Sequence, residues 1–192
     1  MDDTEEIVPL SEKNGLLYMA AHGYFYRDER QALEGQAKEG IKEMRRSLAI
    51  MEGTGTLTCF TRLMARIVDA CRKTGEIEEG ILAVNEALEV AQKYDERYVE
   101  PELYRLKGEL LWMRGEPENE IEKHFQRALE LSRRRLAKSW ELRAATSLAR
   151  LMKKQGKQKE AYELLNGVFG WFTEGFDFPD LKEARSLLEE LR

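Results

Sequence analysis

The sequence predicts an all-α protein, an α-solenoid in outline: about four helical hairpins plus a C-terminal capping helix. Glycines recur at Gly35, Gly75, Gly115 and Gly156, at intervals of 40, 40 and 41 residues, and a fixed period of this length marks stacked supersecondary units. A small or branched residue followed by a large one comes 12 or 13 residues after each glycine, as Ser47-Leu48, Ala87-Leu88, Ala128-Leu129 and Val168-Phe169. The composition agrees: 35% of residues are charged and only four are proline, a balance that favours solvent-washed helices over strands.

The elements follow in chain order. Residues 1–14 carry Asp2, Asp3, Glu5 and Glu6 without an apolar run and read as an acidic, flexible N-terminal segment; residues 15–192 form the repeat domain. The first hairpin pairs a helix near Leu16 to Glu34 with one near Gln36 to Met51, and Gly53-Thr54-Gly55 separates it from the next. In the second, Thr56 to Thr74 precedes Glu76 to Tyr94, where Ile77, Ile81, Val84 and Leu88 step by 4, 3 and 4 and mark one buried stripe. The third pairs Pro101 to Arg114 with Pro117 to Leu136, its prolines suited to a first turn, where a missing N–H costs nothing. The fourth pairs Ser139 to Gln155 with Lys157 to Phe172. Each periodic glycine ends a first helix in a left-handed conformation and lets the chain reverse. A last helix follows Pro179, with Leu181, Ala184, Leu188 and Leu191 on one side, and covers the apolar end of the stack.

Known chemistries find little purchase. A net charge of −5 argues against a general nucleic-acid binder. Gly35-Gln36-Ala37-Lys38-Glu39-Gly40-Ile41-Lys42 lacks the lysine directly after its second glycine and the Ser or Thr of a phosphate loop, so it reads as a helix-to-helix turn. His22 and His124 stand far apart with no HExxH, no G-x-S-x-G elbow occurs, and pairs such as Glu78-Glu79 and Glu189-Glu190 read as solvated surface. No catalytic, cofactor-binding or metal-ligating residue is therefore assigned. Cys59 and Cys71, read within one helix, lie roughly 18 Å apart at 1.5 Å per residue and cannot bridge, which fits packed thiols in a reducing compartment. No run approaches the ~18 apolar residues of a membrane span, so a cytoplasmic location is expected.

Within the third repeat, Leu106 and Gly108 precede Gly115 and Ala128 follows it, an arrangement that resembles the tetratricopeptide pattern. In that pattern small residues stand where two helices cross closely; Val68, Gly108 and Ala149 share one such position and Ala87 and Ala128 another, while the first repeat departs with Asp28. Three longer stretches, Glu102 to Leu111, Ala137 to Leu151 and Trp171 to Leu181, look like the C-terminal tetratricopeptide region of large bacterial predicted ATPases and adenylate/guanylate cyclases. The resemblance implies a non-catalytic protein-interaction module, the sensing or regulatory region associated with a signalling ATPase or nucleotide cyclase. It also implies a concave groove lined by the first helix of each hairpin. The side chains counted into that groove are Arg62, Asp69, Arg72, Glu102, Arg105, Glu109, Trp112, Arg143, Arg150 and Lys153, six of them basic. Such a groove favours an acidic protein or peptide partner, with arginines giving forked hydrogen bonds and Trp112 an apolar anchor.

Two further features stand outside the groove. Arg133-Arg134-Arg135 reads as a partner for a helix-end dipole, the alternative being a transcriptional regulator that touches nucleic acid or a DNA-binding protein. The aromatic segment of Trp171, Phe172, Phe176 and Phe178 reads as an anchor for the final helix, the alternative being a docking plug. An apolar open edge would also permit a homo-oligomer.

Overall fold

The computed structural model describes residues 3–56 and 59–192, and the described residues hold ten α-helices, one 3-10 turn and no strand. The chain divides into two compact units, Met1–Glu96 and Arg97–Arg192. The first contains α1 (Asp3–Lys13), α2 (Leu17–Leu33), α3 (Ala37–Gly53), α4 (Phe60–Thr74) and α5 (Ile77–Lys93). The second opens on the 3-10 turn Arg97–Val99 and continues with α6 (Glu100–Arg114), α7 (Glu118–Arg134), α8 (Lys138–Lys154), α9 (Gln158–Phe169) and α10 (Pro179–Glu190).

Helices pack in consecutive pairs: α2 on α3 and α4 on α5 in the first unit, α6 on α7 and α8 on α9 in the second. First helices also meet side by side, α2 with α4 and α6 with α8, while α10 rests on α8 and α9.

The reversals share one device. Left-handed residues fall at Gly15, Gly35, Gly55, Gly75, Asp95, Gly115, Leu136, Gly156 and Gly175, so the 40-residue period is two steps of about 20, the length of one helix plus its turn. At Gly75 the amide of Glu76 reaches back to the Cys71 carbonyl at 2.9 Å, and at Gly115 Glu116 reaches Leu111 at 3.0 Å. This six-to-one bond satisfies a carbonyl that the ended helix leaves orphaned. The same bond runs from Ala137 to Ser132 at 2.9 Å, although the left-handed position there belongs to Leu136, whose Cβ is crowded in that conformation.

Close crossings set the spacing within pairs. A Cβ added at Gly108 on α6 would lie 2.5 Å from the Phe125 ring of α7, and one at Gly40 on α3 would lie 2.6 Å from the Ala32 backbone of α2. Around these contacts Phe25, Met44, Met51, Leu63 and Ile67 are fully buried in the first unit, as are Leu103, Leu106, Leu110, Ile121, Phe125, Leu142 and Leu151 in the second.

Two local readings differ from the structure, and a third gains its physical setting there. The acidic segment at residues 1–14 contains α1, an 11-residue helix with Pro9 inside it, which packs on α2. A Cβ at Gly23 would lie 2.6 Å from the Val8 Cγ2, so docking against α2 supplies what the acidic, proline-containing sequence lacks. Helix α4 begins at Phe60, leaving Cys59 just before it at a φ of 61°, and residues 57–58 of the expected Thr56 start lie outside the described residues. Finally, Asp28, at the position of Val68, Gly108 and Ala149, is 1% exposed; its Oδ1 accepts bonds from the Arg27 Nε at 2.9 Å and Nη2 at 2.8 Å. Burial raises its carboxyl pKa, against the pull of Arg27.

Two glycines separate strain from crowding. Gly75→Ala should cost about 1 kcal/mol, from the left-handed backbone alone, because nothing lies within 4 Å of the added Cβ. Gly108→Ala should cost about 1–3 kcal/mol by overpacking against Phe125, and chemical denaturation of both variants measures the difference. Asp28→Ala should stabilise the fold by about 1–2 kcal/mol at neutral pH, since an apolar group replaces a buried charge. Because the folded-state pKa of Asp28 is raised, the folded form binds the proton more tightly and the wild type loses stability as pH rises through that range. The advantage of the variant should therefore shrink as pH falls, a trend read from unfolding curves at several pH values.

Candidate functional site

The first-helix face of the second unit is built around a buried salt bridge. Glu102 and Arg105 lie one turn apart on α6 and both are buried; the Arg105 Nε and Nη2 fork onto the two Glu102 carboxylate oxygens at 2.8 and 2.7 Å. The Arg105 Nη1 extends to Glu109 at 3.4 Å. From there the pattern crosses to α8, where Arg143 reaches the Glu102 Oε1 at 2.8 Å and the Ser147 hydroxyl donates to Glu109 at 2.5 Å.

The α8 cations then face α10. Arg143 lies 3.8 Å from Asp180, Arg150 pairs with Glu183, and Lys153 meets Glu190 at 2.7 Å. Burial raises the Asp180 pKa while Arg143 opposes it, and the Lys153 contact lowers that of Glu190. Below these charges Leu181, Ala184, Leu187, Leu188 and Leu191 are buried, so α10 is an amphipathic helix with an apolar underside and a row of carboxylates set on a basic row of α8.

The residues counted into the groove thus occupy several environments. Arg105 is structural, and Glu109, Arg143, Arg150 and Lys153 are committed to partners within the second unit. Trp112 is half-buried, its ring 6.3 Å from Phe125 and capped by Lys154 at 5.7 Å. In the first unit Arg72 pairs with Asp69 on its own helix at 2.9 Å. Asp69 is held below the usual carboxylate range despite its burial, by Arg72 and Lys73. Arg62 is exposed, and with Arg66 it adds to burial in lowering the pKa of His22, whose ring sits 5.0 Å from Tyr26 and 6.0 Å from Tyr18. In the sequence Asp180 and Glu183 go unread and Glu190 reads only as solvated surface, although the three share a helical face and Glu190 meets Lys153.

Other titratable groups are placed as packing. Burial, reinforced by Glu79, pushes the Cys71 thiol up to about 12; Cys59 is half-buried and both thiols are free. His124 is shifted down by burial and Lys107, and stacks on Tyr104 at 6.2 Å. No group of three or more His, Cys, Asp or Glu among the described residues is arranged to hold a metal ion. No helix among them is long and apolar enough to cross a membrane.

The aromatic segment divides. Phe176 is half-buried, packed on Phe169 at 5.8 Å beneath the Arg185 guanidinium, whereas Trp171 and Phe178 are exposed. Of the arginine cluster, Arg133 pairs with Glu141 at 3.0 Å and Arg135 with Glu100.

Removing one arm of the buried pair should be costly. Arg105→Gln should destabilise by about 3 kcal/mol because Glu102 loses its forked partner, moderated by Arg143. Adding Glu102→Gln should recover part of the loss, and a double-mutant cycle in urea measures the coupling.

No protein-family model matches the chain and no curated protein matches it, so the functional reading rests on the residues themselves.

Proposed function

We propose that this chain is a non-catalytic, cytoplasmic protein-interaction module of the tetratricopeptide-like solenoid type, whose first-helix face docks an acidic helical partner. The observation that carries the reading is α10: an acidic amphipathic helix lies along the basic row Arg143, Arg150 and Lys153, so this face already accommodates the kind of segment a partner would offer. The sequence resemblance supports a role as the sensing or regulatory region of a signalling ATPase or nucleotide cyclase. The nucleic-acid alternative draws less support, since two arginines of the Arg133 to Arg135 cluster are tied to carboxylates.

Charge reversal tests the docking face at residues the core does not need. Arg105 is buried and unsuitable, so the variant is Arg150→Glu with Lys153→Glu, both on α8 in the second unit, checked for folding by circular dichroism. Cross-linking in bacterial lysate followed by mass spectrometry should identify an acidic partner with the native chain and lose it, about tenfold or more, with the variant. Equal recovery by both would remove the groove assignment.

A further inference from the structure

The docking face of the second unit is in use within the chain itself. Asp180, Glu183 and Glu190 of α10 stand over Arg143, Arg150 and Lys153, so a carboxylate arriving from outside finds each cation of the row engaged. Without α10 the face would carry Arg105, Arg143, Arg150 and Lys153 over Glu102 and Glu109, a positive excess. A partner's acidic helix and α10 therefore compete for the same three charges.

The seam between α10 and α8 is open. A cleft of about 300 Å³ lies among Arg150, Lys153, Glu183, Ser186, Leu187 and Glu190, whereas at the α6 and α7 crossing Gly108 leaves no room for one added carbon against Phe125. The pairs that bridge the seam are solvated: the side chains of Arg150, Lys153, Glu183 and Glu190 are between 37% and 54% exposed. Exposed pairs add little to stability, so the apolar underside of α10, with Leu181 and Leu188 buried, does most of the holding.

Length and attachment also suit α10 to release. It runs 12 residues, at which a helix alone in water is marginal, so its helical state depends on being seated. Residues 170–178 join it to α9. A stretch of that length extends to about 30 Å, enough to carry α10 clear of the face.

We propose that α10 is a built-in competitor for the docking face, and that the partner is an acidic amphipathic helix repeating α10's own spacing. This rests on the first-helix docking reading and adds that α10 must lift before the partner seats. The spacing is read from α10: carboxylates placed as Asp180, Glu183 and Glu190 are, and large apolar residues placed as Leu181, Leu188 and Leu191 are, on the side that enters. The affinity a partner shows is its intrinsic affinity scaled by the fraction of molecules with the face open.

The probe is a fluorescein-labelled peptide of residues 176–192, titrated with the full chain and read by fluorescence polarisation. Two variants loosen α10 and leave the α8 face intact: Leu181→Ala with Leu188→Ala removes underside packing, and Glu183→Lys with Glu190→Lys sets like charges over Arg150 and Lys153. Both loosened chains, checked for folding by circular dichroism, should bind the peptide about tenfold or more tighter than the native chain. Adding Arg150→Glu and Lys153→Glu to the leucine variant should abolish binding, and a peptide carrying Asp180→Lys, Glu183→Lys and Glu190→Lys should not bind. In the 15N-labelled native chain, saturating unlabelled peptide should speed amide hydrogen exchange in α10 while α8 and α9 keep their protection; this measurement decides if either variant unfolds. Equal affinity for native and loosened chains, no binding by folded loosened chains, or binding that leaves α10 protected would each overturn the proposal. A lysate partner captured equally by native and loosened chains, yet lost with Arg150→Glu and Lys153→Glu, would overturn it and leave the first-helix docking reading standing. Concentration-dependent dimerisation of the native chain that Glu183→Lys with Glu190→Lys abolishes, seen by sedimentation, would overturn it in favour of a second copy that exchanges α10.

Discussion

A helix that ends must hand its last carbonyls to some donor, and in this chain the donor is repeatedly the amide just past a left-handed residue. That requirement returns about every 20 residues and sets the length of nearly every element: helices α2 through α8 run 15 or 17 residues each. Equal lengths let neighbouring helices lie alongside one another from end to end. The close approaches at Gly40 and Gly108 then bring paired backbones near enough for the apolar stripes to exclude water. Packing, more than intrinsic propensity, keeps helices of this length formed.

Charge is handled differently in the two units. In the first, Asp28 stands where a small apolar residue would pack, held by a single neighbouring arginine, and its raised pKa records the unfavourable desolvation. In the second, Glu102 and Arg105 are similarly buried, but each is held by more than one group, through the fork between them, Arg143 and Glu109. A shared network keeps the charges solvated by one another. It also ties α6 to α8 and α8 to α10, so the acidic face of the last helix belongs to the same electrostatic pattern as the basic face beneath it.

Much of this was legible from residue spacing. The glycine period and the 3 and 4 steps place nine of the ten helices among the described residues to within a few residues, because both signals are local. Helix α1 was hidden because its sequence is short, acidic and interrupted by Pro9, and its stability comes from contact with α2. Two beats of the 20-residue rhythm are obscured where Asp95 and Leu136 replace glycine, since only a backbone angle reveals them. For the candidate face, spacing put Arg105, Arg143, Arg150 and Lys153 on the correct helices, but it could not show that Arg105 is buried or that carboxylates from the last helix answer the others. Those facts depend on residues more than thirty positions away.

The reach of the side-chain contacts has a kinetic consequence. Side-chain hydrogen bonds among the described residues reach as far as 41 positions, as from Arg45 to Glu86, and the main helix contacts join elements adjacent or next-adjacent along the chain. Such a topology has low contact order, and chains of this kind close small loops rather than large ones on the way to the native state. Folding should accordingly be rapid within each unit, where closing a short loop brings each helix onto a neighbour close to it in the chain.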